Sequence, residues 1–251
     1  MPSLTEIVRS IRERGVAATL GRSGRWLLWK VYTTAFRTRW LYRGKRFDAS
    51  MGTDTSAWKL GLRRNQQAIR QRISSPSRDD ITGFFAIEPV LTKKVLSALP
   101  INYSSFTFVD IGSGTGRGVL IASLFPFRRI IGVELSSELN QKAEENLSRC
   151  VKSKQKCRDV TVLLADARDY EFPQDPLVIF LFNPFGERIM SRVVANLTRS
   201  FREHLREVLI VYWRPTQHSL LMQAGFLEQI QTHEWRFIDC HVYRSIVPKS
   251  A

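Results

Sequence analysis

The residues that could do chemistry stand at the ends of short apolar runs. The run 106–111 leads into Asp110-Ile-Gly-Ser-Gly-Thr-Gly116, and the run 130–134 ends on Glu134. The run 160–164 is followed by Asp166 and Ala167, and the run 178–182 by Asn183, Pro184, Phe185 and Gly186. Gly112, Gly114 and Gly116 permit a tight turn and let a ligand approach the backbone ahead of a helix N-terminus. Such a loop suits several nucleotide-like ligands, and its spacing weakens two of them. A dinucleotide loop wants a third small residue where Arg117 stands, and a triphosphate loop wants a lysine that does not follow these glycines. Glu134 lies 24 residues after Asp110, at the carboxyl end of a neighbouring strand, where it can accept hydrogen bonds from both hydroxyls of a ribose. Its plainer alternative is a helix N-terminal charge ahead of Ser136. The pair Asn183 and Pro184 also favours a simple turn.

For these residues to meet, the runs must lie side by side. Strand candidates at 106–111, 130–134, 160–164, 178–182 and 208–212 alternate with helix candidates at 118–125, 137–152, 188–204 and 217–225, after a helix at 90–99. Alternation implies parallel pairing with helices on both faces. The runs 227–235 and 237–246 have almost nothing between them and predict a hairpin that ends the sheet with an antiparallel strand. The expected fold is α/β: a doubly wound, mostly parallel seven-stranded sheet with a C-terminal antiparallel hairpin, plus a basic helical N-terminal extension. The extension and a connecting region are expected over 1–80, and the ligand-binding domain over 81–251. Within the first part, apolar spacing over 4–20 predicts one or two short amphipathic helices. Residues 47–82 are polar and read as the connection, with a short helix at 57–72 and a break at 74–77.

The formal net charge is +15, and residues 1–50 carry eleven Lys and Arg against three Asp and Glu. Such a chain is attracted to polyanions. Between Arg25 and Arg46, Trp26, Trp29, Tyr32, Phe36, Trp40 and Tyr42 interleave with seven cations, a pattern shared by interfacial membrane helices and single-stranded nucleic-acid sites. Aromatic packing onto the rest of the chain is the bland alternative. Contact with a membrane or nucleic acid through residues 1–46 therefore stays open. No run of about 18 apolar residues exists, and no charged start is followed by an apolar segment. The expected place is the cytoplasm, with peripheral contact at the inner membrane face as the alternative. Cys150, Cys157 and Cys240 form no CxxC pair, which argues against a disulfide framework and a zinc site, so no metal is expected. The histidines at 204, 218, 233 and 241 fall on helices or the hairpin, where structural or solvated roles are the default.

The D-x-G-x-G-x-G loop ending a strand resembles that of class I, seven-strand Rossmann-like methyltransferases that use S-adenosyl-L-methionine (SAM). That resemblance implies a cofactor site of Asp110, Gly112, Ser113, Gly114, Gly116, Glu134, Asp166 and Ala167, with the acid after the third strand taking the adenine amino group. Asn183, Pro184 and Phe185 resemble the [Asn/Asp]-Pro-Pro-aromatic loop of amino-group methyltransferases, in which the Asn oxygen and Pro carbonyl hold the target nitrogen and the ring packs on it. The second proline is missing here and the aromatic comes one residue early. Phe47 with Asp48, Gly52 to Thr55, Glu88 with Pro89, and Pro126 to Arg129 look like a group of uncharacterised bacterial methyltransferases. Glu88 and Pro89 also look like the Tyr-x-Pro segment of non-SET protein lysine methyltransferases, with Ile87 in the tyrosine position, so only packing carries over. The implied activity is methyl transfer, expected at nitrogen. The acceptor stays open between a protein lysine, nucleic acid, lipid and a small amine. A second reading is a non-catalytic SAM-fold module that docks on RNA or anionic membrane through its basic N-terminus.

Overall fold

The computed structural model describes residues 12–13, 22–56, 86–235 and 238–246, with the backbone alone for 22–33. The helices expected over 4–20 and 57–72, the break at 74–77, the boundary near residue 80 and the side chains of Trp26, Trp29 and Tyr32 lie outside the described residues. The chain forms two compact units, Met1–Arg43 and Gly44–Ala251. In the first, the described helix α1, Arg22–Met51, begins; its 30 residues make it about 45 Å long. Phe36 and Trp40, one turn apart, set their ring centroids at 5.5 Å, and Arg37, Arg39, Leu41 and Tyr42 are exposed.

The second unit is built on a seven-stranded sheet of order β3-β2-β1-β4-β5-β7-β6. Its strands are β1 (Thr107–Ile111), β2 (Arg129–Glu134), β3 (Val160–Leu164), β4 (Leu177–Phe182), β5 (Val208–Trp213), β6 (Leu227–Trp235) and β7 (Ile238–Ser245). The first five pair in parallel, and β7 enters antiparallel between β5 and β6. This is the expected fold class, with ends within about a residue of the expected ones. The reason is visible in composition. Strands β1, β4 and β5 are buried at nearly every position because both faces are covered, and β4 and β5 are apolar almost throughout. Strand β3 is an edge, and its Leu163 and Leu164 stay exposed.

One face packs against α5 (Glu187–Glu203) and α6 (His218–Gln223), where Ile179, Leu181, Ile210 and Tyr212 meet Ile189, Val193, Leu197 and Leu221. On other strand positions Phe108 lies against Phe127 and Phe180, with centroids 5.2 and 5.8 Å apart. The helices α2 (Pro89–Ser97), α3 (Arg117–Ala122) and α4 (Ser137–Arg149) complete the layers, with α4 on β2 and β3. Glu88, expected as part of a packing segment, is the N-cap of α2 and accepts the Leu91 N–H at 2.6 Å.

Residues 47–56 depart from the polar connection expected there. Phe47, Asp48, Met51 and Thr55 are buried. The cause is Arg117, buried in the first turn of α3, whose guanidinium needs partners that the α3 turn does not supply. Its Nη2 pairs with Asp48 at 3.0 Å, its Nε donates to Thr55 Oγ1 at 2.5 Å, and its Nη1 donates to the Ile87 carbonyl at 3.1 Å. Gly44 is required beside it, because a Cβ there would lie 2.9 Å from Nη1. Removing one member of a buried ion pair leaves an unpaired charge. Asp48→Ala is expected to lose about 3–5 kcal/mol in urea unfolding. The double variant Asp48→Leu with Arg117→Met should recover much of it, and equal losses in the two would remove the charge argument.

Candidate functional site

The glycine loop is stitched to the end of β2. Gly112 and Ser113 donate their N–H groups to the Val133 carbonyl at 2.8 and 3.0 Å, and Gly116 N–H closes on the Ser113 carbonyl at 2.9 Å. The turn runs through the left-handed region at Gly112 (φ 79), Gly114 (φ 55) and Gly116 (φ 84), which only glycine enters without strain. Thr115 Oγ1 donates to the Thr55 carbonyl at 2.8 Å, so the loop is braced from outside as well.

Glu134 is the residue that closes this turn. Its Oε2 accepts the Gly114 N–H and its Oε1 the Ser136 N–H, both at 2.8 Å. It thus ties the loop to β2, and it also receives the backbone where α4 begins, which is the plainer reading of this acid. A carboxylate offers about four lone-pair sites, and the two N–H groups take one on each oxygen. Burial raises the Glu134 pKa, opposed by the backbone N–H bonds.

Asp110 acts from the α3 side of the loop. Its carboxylate accepts the Val119 N–H, and burial together with the nearby Glu134 charge pushes its pKa up to about 8. Gly118 has to be glycine for this, since a Cβ there would fall 2.2 Å from Asp110 Oδ2. Ser113 turns its buried, unpartnered hydroxyl toward Gly132, so only its backbone lines the turn.

Asn183 to Gly186 leave the end of β4 beside this loop. A Cβ built on Gly112 would meet Pro184 Cβ at 2.9 Å and the Phe185 ring at 3.9 Å. The strand-end residues of β1 and β4 are thus in contact, and Gly112 leaves room for it. Asn183 holds φ 40, a left-handed position for a non-glycine, and its Oδ1 accepts the Thr216 hydroxyl at 2.6 Å. Phe185 is partly buried against the α5 face of the core.

Asp110, the glycines, Glu134 and the Asn183 loop are brought together around the ends of β1, β2 and β4. Asp166 sits differently, just beyond β3. Both of its oxygens are taken by Arg168, at 3.0 Å from Nε and 2.5 Å from Nη2, with the Arg168 N–H at 2.9 Å. That pairing holds its carboxyl below the usual carboxylate range. Ala167 places its methyl in the core beside Tyr170. Sequence reasoning missed Arg168, Gly118 and Thr216. A fourth glycine two residues after Gly116 was a signal for Gly118, whereas nothing in the order of residues announced the other two. The four histidines keep to structural surroundings: His218 and His241 both bond the Tyr243 hydroxyl, at 2.8 and 3.2 Å.

No protein-family model and no curated protein matches the chain. Solved structures with similar folds include TrmN from Thermus thermophilus, 18% identical over 64% of this chain and 49% of that one, TM-score 0.47. An RNA methyltransferase from Salinibacter ruber in complex with S-adenosyl-L-homocysteine is 18% identical over 67% of this chain and 96% of that one, TM-score 0.43. A ribosomal protein L11 methylase from Lactobacillus delbrueckii subsp. bulgaricus is 14% identical over 64% and 80%, TM-score 0.45. None is similar enough to assign an activity, and the fold stands on the strand order given above. Among the described residues no helix is long and apolar enough to cross a membrane.

The raised Asp110 has a measurable consequence. The folded protein keeps this proton up to about pH 8, whereas an unfolded chain loses it near pH ~4. The folded state thus binds more protons across that window, and its stability falls as pH rises through it. Melting temperatures recorded from pH 4 to 8 should decline more steeply for the wild-type chain than for Asp110→Asn. Parallel curves would contradict a buried, protonated Asp110.

Proposed function

We propose that this chain is a SAM-dependent methyltransferase that acts on a nitrogen. The observation that carries the reading is the pair of buried acids, Asp110 and Glu134, set on adjacent strands around a glycine turn. Burial first, and the nearby Glu134 charge second, oppose an ionised Asp110, as its raised pKa records. A ligand that brings positive charge and hydroxyl donors relieves that opposition, and SAM has both: a sulfonium, an ammonium and a ribose diol. A pyrophosphate would worsen it.

When bound, SAM supplies an electrophilic methyl on sulfur. The chain's own part is to orient and to exclude water. The backbone of Gly112, Ser113, Gly114 and Gly116 would line the amino-acid end. Glu134 would receive the ribose hydroxyls, and Asp166 and Ala167 would border the adenine, Asp166 sharing its charge with Arg168. Asn183 and Pro184 would hold the acceptor, with Phe185 flanking it. The domain expected over 81–251 would do this together with 44–56, which belong to the same compact unit, and the rest of 1–80 would serve as extension and connection. Protein lysine, nucleic acid, lipid and small amines all remain admissible acceptors, and the expected place is the cytoplasm.

The test is transfer of labelled methyl from SAM by the purified chain into separated protein, nucleic-acid, lipid and small-molecule fractions of a lysate. Label is expected in one fraction and should vanish with Glu134→Ala. Asn183→Ala should leave SAM affinity near wild type while transfer falls on the order of 100-fold. Equal loss of binding and transfer would sink the role given to Asn183.

A second reading, a module that docks on RNA or anionic membrane without turnover, is favoured by one observation. Arg37, Arg39, Leu41, Tyr42, Lys45 and Arg46 are all exposed along α1. Reversing Arg37 and Arg39 to Glu in the full chain should weaken binding to an RNA oligomer or to anionic vesicles. Unchanged binding to both would remove α1 as a docking element.

A further inference from the structure

Thr216 lies in the turn between β5 and α6, and its surroundings do not explain it as a fold-maker. It is exposed, as a turn residue at the end of a strand commonly is. It nevertheless meets Asn183 Oδ1 at 2.6 Å across a separation of 33 residues. The turn that carries it is held at both ends. Arg214, at φ 51, donates its N–H to the Asp239 carbonyl at 2.8 Å, and Thr216 N–H returns to the Arg214 carbonyl at 2.7 Å. Behind Thr216 stands Tyr212, a fully buried phenol in the core whose oxygen accepts the Gln217 N–H at 3.4 Å.

The Tyr212 oxygen accepts the Gln217 N–H. A threonine hydroxyl carries one hydrogen, and that of Thr216 goes to Asn183 Oδ1. The carboxamide is thereby turned oxygen-first toward Thr216, with its NH2 edge on the other side.

We infer that Thr216, backed by the buried Tyr212, is a positioning residue that fixes the orientation of the Asn183 carboxamide at the methyl-transfer site. This rests on the reading of Asn183 as the group that holds the acceptor. Thr216 touches neither cofactor nor acceptor in this assignment, and its influence passes through Asn183 alone.

The experiment compares wild type, Thr216→Val and Thr216→Ser for SAM affinity by calorimetry, melting temperature, and methyl transfer into the lysate fraction that wild type labels, at varied fraction concentration. Valine keeps the shape and removes the hydroxyl, and the exposed position lets it fold. Thr216→Val should keep wild-type SAM affinity and melting temperature while its maximal rate falls on the order of 10–100-fold. Thr216→Ser, which restores the donor, should return most of that rate. Full transfer by Thr216→Val, an equal loss in the serine variant, or a loss of SAM affinity alongside the rate would each overturn the assignment. A wild-type chain that binds SAM and labels no fraction overturns it differently, by removing the reading of Asn183 on which it rests.

Discussion

The constraint on which the molecule turns is the fate of the backbone N–H groups between β1 and α3. Five residues reverse direction there in a buried place, and each N–H that water cannot reach must find an acceptor. The Val133 carbonyl takes two and Glu134 takes a third. This ties the loop to the neighbouring strand, so the β1–β2 register and the shape of the turn depend on each other. Gly132, beside Asp110 in that register, is small because a Cβ would strike Ser113 and Val119 at 2.9 Å. A carboxylate that closes the turn from the neighbouring strand makes the register and the loop a single arrangement.

A second layer of the same logic surrounds it. Asn146 on α4 accepts the Asp54 N–H at 2.9 Å and donates to the Asp54 and Thr115 carbonyls at 3.2 and 3.0 Å. With Arg117 on the other side, the segment around Thr53 to Ser56 is clasped against the loop by groups from two helices. Side chains that a surface turn would leave to water instead serve as ties between distant parts of the chain. The cost is burial of charge, and it is met by pairing.

The sheet was legible because its signals are local. A both-faces-apolar strand such as 177–182 is nearly unmistakable, and strand-end acids fall where the alternation puts them. The place of Glu134 at the end of β2 was legible from position alone, whereas its bond to the Gly114 N–H was not. What could not be read were contacts made at a distance by residues of ordinary appearance. Phe47 to Thr55 look polar because the partner that buries Asp48 stands 69 residues away. The hold of Arg168 on Asp166 is a matter of rotamer, which spacing does not encode. Thr216 looks like any turn threonine until the β5–α6 turn is seen beside the end of β4.

The grip of Arg117 also imposes an order in time. Asp48 and Thr55 leave the ribosome long before Arg117 does, and Ile87 about halfway between them. Through that interval the end of α1 carries Phe47 and Met51, both buried in the finished protein, with no partner yet made. A nascent chain in this state has apolar surface to hide and a carboxylate without its cation. The sheet cannot cover these side chains any earlier, since its strands pair only after the glycine loop has been made.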